Sequence, residues 1–147
     1  MQKNLALFSS LFDEFPNLAV LHINNGVDFI NPIIESVVAK TEGKLDYKEF
    51  TDEKSLRLKP TAREYEYIIL GDILDSCENK IQLLNMYYRA LENSANIIVL
   101  AKKSNNSTEE IKELLDKTYF QAINDIDIFE EYIIITGKKM HMWGNGL

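Results

Sequence analysis

The sequence predicts an α/β domain of three layers: a mostly parallel, Rossmann-like sheet with helices on both faces and a C-terminal antiparallel hairpin. Three observations carry this reading. Residues 18–23, 68–70 and 97–100 are nearly continuous apolar runs, the pattern of strands buried on both faces. Stripes with helical spacing lie between these runs. Finally, the strand-like runs 122–129 and 131–136 stand too close together for a crossover helix, so they must pair antiparallel.

Each element has its own local cause. Leu5, Phe8, Leu11, Phe12 and Phe15 form a helical stripe that Pro16 and Asn17 end. The first strand, 18–23, is broken by Asn24-Asn25-Gly26. A helix follows with Ile33, Ile34, Val37 and Val38 on one face. Asp28 is one candidate cap, but Asn31-Pro32 is better chemistry: Asn at the cap, and Pro in the first turn where its missing N–H costs nothing. Gly43 ends that helix, and 45–50 alternates like a half-buried strand. Residues 51–64 are polar, and Leu56, Leu58 and Pro60 allow at most a brief extended piece. A strand at 65–70 ends in Gly71-Asp72. The helix predicted over 78–93 carries Ile81, Leu84, Tyr88 and Leu91 on one face, and a strand follows at 96–101. Ser107-Thr108-Glu109-Glu110 is a capping box opening a helix with Ile111, Leu114 and Leu115.

Composition narrows the functional classes. The 147 residues suit one domain, 1–147, with 140–147 read as a flexible tail. Sixteen basic against twenty-three acidic residues leave a net charge of −7, and only three of the basic ones are Arg. A chain so charged, without a basic stripe, is not expected to bind nucleic acid. No apolar stretch is long enough to span a membrane, so a cytoplasmic protein is expected. One cysteine, Cys77, excludes an internal disulfide, and His22 and His141 are too few for a histidine metal cage. Cys77 reads as a packed thiol and His22 as a buried imidazole of the first strand, rather than nucleophile and base. Met140-His141-Met142-Trp143 offers soft ligands, but Gly144-Asn145-Gly146 after it marks a tail, and no metal is expected.

The element order resembles that of the class I S-adenosylmethionine-dependent methyltransferases, whose sheet ends in such a hairpin. The segment from Tyr65 through Glu66-Tyr67-Ile68-Ile69-Leu70 to Gly71-Asp72 looks like that family's fourth strand. Tyr88-Arg89-Ala90-Leu91-Glu92-Asn93-Ser94-Ala95-Asn96-Ile97-Ile98-Val99 looks like its next helix end, turn and fifth strand, with Ser94-Ala95 where the family usually has a Gly pair. The likeness departs at the first loop. The family has an acid and then three alternate glycines, which bring N–H groups to the cofactor carboxylate. Here those positions are His22, Asn24, Gly26 and Asp28. A second carboxylate at ~4 Å would repel the cofactor's by about 4 kcal/mol at an effective dielectric of 20. Between the second and third strands, only 51–64 stands where the family has a helix and a further strand.

The resemblance implies a crevice at the carboxyl ends of the strands, between Asn24-Asn25-Gly26 and Gly71-Asp72, with Glu49 at one side. Asn24, Asn25, Gly26 and Gly71 are the cofactor-binding candidates, and Glu49 is the candidate acid for the ribose hydroxyls. Asp72 is the candidate catalytic residue, with Asp75 beside it. The plainer alternative makes Asp75 and Ser76 helix caps and Glu49 a surface charge. Two readings stay open at this point. One is a small methyltransferase-like protein that binds S-adenosylmethionine or a related nucleotide. The other is a non-catalytic scaffold working through protein contacts, whose shortened sheet leaves an edge for a homodimer partner to cover.

Overall fold

The computed structural model describes residues 4–56 and 61–140. Six strands form one mixed sheet: β1 Ala19–Asn24, β2 Lys44–Glu49, β3 Tyr65–Gly71, β4 Leu91–Lys102, β5 Gln121–Ile126 and β6 Tyr132–Lys138. Their spatial order is β2-β1-β3-β4-β6-β5, with the first four parallel and β6 antiparallel to both its neighbours. The three apolar runs all fall on interior strands, as two-sided burial demands. Among the described residues four α-helices cover the sheet: α1 Leu5–Ser9, α2 Asn31–Lys40, α3 Lys80–Ala90 and α4 Thr108–Lys117.

Alternation along the strands divides the core in two. Leu21, Ile23, Ile68, Leu70, Ile97 and Val99 meet Leu84 and Tyr87 of α3 and Ile111 and Leu115 of α4. Val20, Tyr67, Ile69, Ile98 and Leu100 meet Phe8, Phe12 and the α2 residues Ile34 and Val37. Each large apolar side chain buried this way contributes roughly 1.5–3 kcal/mol. The chain therefore leaves β1 toward one face and β3 toward the other, and these two neighbouring strands diverge at their carboxyl ends.

Several boundaries differ from the sequence expectation. The first helix stops at Ser9, and Leu11 and Phe12 continue in i→i−3 turns. The Asp13 N–H then goes to the Tyr67 hydroxyl at 2.8 Å, which leaves Phe15 54% exposed. Asn31 does not cap α2. A 3-10 turn, Asp28–Ile30, runs straight into the helix, and Asn31 is its first residue with φ −55°. Helix α3 is shorter than predicted, and its buried face is Leu83, Leu84, Tyr87 and Ala90, with Ile81 exposed. The N–H groups of Arg63 and Glu64 take the Arg89 and Ala90 carbonyls, so Leu91 turns extended and begins β4. Ser107 caps α4 as expected, its hydroxyl accepting from the Glu110 N–H. Within 51–64 the described residues form a 3-10 turn, Glu53–Leu56, and no strand; Leu58 and Pro60 lie outside them. His141, Met142 and Trp143 likewise lie outside the described residues.

After α2 the chain turns at Glu42, φ +55°, and Gly43 next to it is glycine because nothing larger fits. A Cβ there would stand 2.1 Å from the Leu18 carbonyl oxygen, a backbone atom that cannot rotate away. The Lys44 N–H uses that same oxygen to start the β1–β2 pairing. Gly43→Ala is expected to lower stability by about 2–3 kcal/mol in urea denaturation. An unchanged midpoint would show that this junction yields.

Candidate functional site

The crevice is built around Asn24. This last residue of β1 sits in register with Glu49 of β2 and Gly71 of β3, and its side chain is buried. Its Oδ1 accepts the Val27 N–H at 2.8 Å. Its Nδ2 donates to Asp28 Oδ1 at 2.8 Å and to the Tyr47 hydroxyl oxygen at 3.1 Å. Gly71 has no side chain for a related reason: a Cβ there would lie 2.8 Å from Asn24 Oδ1. Asn25 completes the closure, its N–H bonded to the Gly71 carbonyl at 2.8 Å and its Nδ2 to the Asp72 carbonyl at 3.1 Å.

Asp72 is buried and held in the left-handed region at φ +61°. Its N–H donates to the Leu100 carbonyl at 2.8 Å, and its Oδ1 accepts the Lys102 N–H at 3.1 Å. Burial raises its carboxyl pKa above the usual range, the Lys102 amide pulls the other way, and Asp75 adds to the rise. The arrangement makes Asp72 a brace between β3 and β4. Glu49 is exposed at the end of β2. Gly26, at φ +83°, has open space where a Cβ would stand. The predicted site residues are thus brought together, but Asn24, Asn25, Gly71 and Asp72 are bonded chiefly to one another.

Two groups were not singled out for this site from the sequence. Tyr47 joins it through Asn24 and packs edge-on against His22 at 5.2 Å. Period-two alternation in β2 places Tyr47 on the same face as His22, and that was the available signal. Glu53 is the second. Its carboxylate accepts the Glu78 N–H at 2.8 Å and the Asn79 N–H at 3.2 Å, a capping role the sequence had offered to Asp75 and Ser76. Asp75 and Ser76 lie instead in a 3-10 turn that ends before α3 begins. Those backbone N–H bonds hold the Glu53 carboxyl below its ordinary pKa. A cavity of about 330 Å³ lies between this turn and α3, lined by Glu53, Leu56, Asn79, Leu83 and Met86. Cys77 is a packed thiol donating to the Ile73 carbonyl, its pKa pushed up to about 11 mainly by burial. Among the described residues, no three His, Cys, Asp or Glu side chains gather where a metal ion could sit. No helix there is long and apolar enough to cross a membrane.

No family model and no curated sequence matches the chain. Solved structures do. A methyltransferase from Aquifex aeolicus described as S-adenosylmethionine-dependent superposes with a TM-score of 0.72 at 10% identity, over 93% of this chain and 90% of that one. Phosphoethanolamine N-methyltransferase 2 from Haemonchus contortus, in complex with S-adenosylmethionine, gives 0.69 at 11% identity and covers 95% of this chain. This chain spans 52% of that enzyme's length. A Mesorhizobium loti methyltransferase gives 0.63 at 9% identity over 92% and 97% of the two chains. The protein therefore has the class I S-adenosylmethionine-dependent methyltransferase fold, mostly parallel and closed by the C-terminal hairpin.

The fold implies that cofactor, and the loop does not fit its amino-acid end. The Val27 and Asn25 N–H groups are already bonded within the protein, and Asp28 sets a carboxylate against Asn24 beside them. Glu49 is exposed at the end of its strand and offers two acceptor oxygens, chemistry that a diol would suit.

His22 gives the site a pH signature. Burial lowers its pKa from 6.5 to about 4, Asp28 opposing, and its Nε2 has no partner among the described residues. Between those values the unfolded chain binds more protons than the folded one, so stability falls as pH drops through the window. The loss should reach roughly 2–3 kcal/mol at pH ~4. His22→Phe is expected to remove that share of the acid sensitivity in urea denaturation at pH 6.5 and 4. Equal losses in parent and variant would assign the effect to other groups.

Proposed function

We propose that this protein is a non-catalytic methyltransferase-fold scaffold that acts through protein contacts. The bonding of Asn24 supports this reading most directly. An amide side chain occupies the place where the family's first glycine leaves room, and it takes the Val27 N–H for itself. The candidate base Asp72 is bonded into the β3–β4 junction, which supports a structural role for it. Among the described residues, Asp28, Glu49, Asp72 and Asp75 place acid groups around the crevice against the one cation of Lys102 beside Asp72, a balance that disfavours an acidic ligand. The acidic balance also argues against a nucleic-acid partner.

Cofactor binding is the second reading. The exposed Glu49 and the open space over Gly26 favour it, and related folds such as the Haemonchus enzyme are crystallised with S-adenosylmethionine. Calorimetric titration separates the two. The scaffold reading expects no heat beyond dilution from S-adenosylmethionine or its demethylated product. Saturable binding of the parent tighter than ~100 μM, about −5.5 kcal/mol, would overturn it. Asp28→Gly removes the repelling carboxylate and should move any weak affinity upward, whereas Glu49→Ala should move it down.

A further inference from the structure

The β2 strand is an edge of a particular kind. It pairs with β1 without a break in register from Ala19–Lys44 to Asn24–Glu49 and, among the described residues, has no strand on its other side. The opposite edge, β5, is spoiled for pairing by a register shift between Gln121 and Asn124 and a positive φ at Ala122. Lys44 and Phe50 turn their N–H groups inward, to the Leu18 and Asn24 carbonyls at 2.8 Å each. Successive residues of a strand alternate in this respect, so Leu45, Tyr47 and Glu49 present N–H and C=O outward.

An antiparallel strand added to this edge must set outward residues opposite outward residues. For a second β2 around a two-fold axis, the registers with Asp46 or Tyr47 on the axis pair five residues of each strand, whereas those with Leu45 (which sets Lys44 against Asp46) or Lys48 on the axis pair only three. With Asp46 on the axis, Asp46 faces Asp46 and Lys44 faces Lys48. With Lys48 on the axis, Lys48 faces Lys48. Only with Tyr47 on the axis does each Asp46 face a Lys48, twice over, while Leu45 lies opposite Glu49. Like charges directly opposite destabilise a strand pair and opposite charges stabilise it. Tyr47, 41% exposed, then meets its own copy at the centre.

We propose that β2 pairs antiparallel with β2 of a second copy of this chain, Tyr47 opposite Tyr47, joining two sheets edge to edge. The interface is isologous and closed, so it ends at a dimer. This names a partner for the scaffold reading and rests on that reading for its purpose. The two fail separately, because cofactor titration tests one and sedimentation tests the other.

Sedimentation velocity of the full chain across a dilution series is the test. The parent should pass from dimer to monomer on dilution. Beyond its backbone pairing with β1, the Lys48 side chain makes no hydrogen bond or ion pair among the described residues, so Lys48→Asp should fold as the parent does. It sets Asp against Asp twice and should weaken the dimer by about tenfold or more. Adding Asp46→Lys restores opposite charges and should restore the dimer. A parent that is monomeric throughout, or a dimer as tight in Lys48→Asp as in the parent, overturns the inference. So does a folded double variant that stays dissociated; if circular dichroism shows it unfolded, Lys48→Asp alone decides.

Discussion

The carboxyl end of the sheet depends on one buried amide. Asn24 has two donor hydrogens and an acceptor oxygen, and the protein uses them on Asp28, Tyr47 and Val27. A buried amide left unpaired costs about 1–3 kcal/mol, so these partners must all be in place at once. That requirement fixes the turn after β1, the seat of Tyr47 on β2 and the absence of a side chain at Gly71. A loop that in the methyltransferase fold would serve a ligand is here satisfied by its own chain.

The same economy governs the shortened crossover between β2 and β3. With no helix to span that distance, the chain anchors itself at two points. Leu56 is buried in the core on the α3 face, and Glu53 takes the amides just ahead of α3. Among its described residues the crossover adds no strand beyond β2. The sheet is left with one regular edge and one broken edge, and an unbroken edge is a surface a protein must cover, charge or use.

Much of this was legible in the sequence. Continuous apolar runs identified the interior strands, Ser107 and Glu110 located a helix start, and the brief spacing before 131 required the hairpin. The departures came where tertiary contacts overrode local preference. Asn31 is a good cap by chemistry, but the turn beginning at Asp28 already carries the chain into the helix. Leu91 has helical propensity, but the amides of Arg63 and Glu64 take the carbonyls that would have continued α3. The structure brings Asn24, Asn25, Gly71 and Asp72 together at the carboxyl ends of β1 and β3, a placement readable from glycine and asparagine at strand ends and turns. Their bonding to one another was not readable, because it depends on distances between residues such as Asn24 and Tyr47 that lie on different strands.

The exchange of the Val27 amide hydrogen, followed by NMR with and without S-adenosylmethionine, tests the closure of this loop most directly. A hydrogen bonded to a buried side-chain oxygen should be protected like the amides of β1, and its resonance should stay in place when millimolar ligand is added. Rapid exchange together with a ligand-dependent shift at Val27 would mean that the loop is open and that its donors serve a ligand after all.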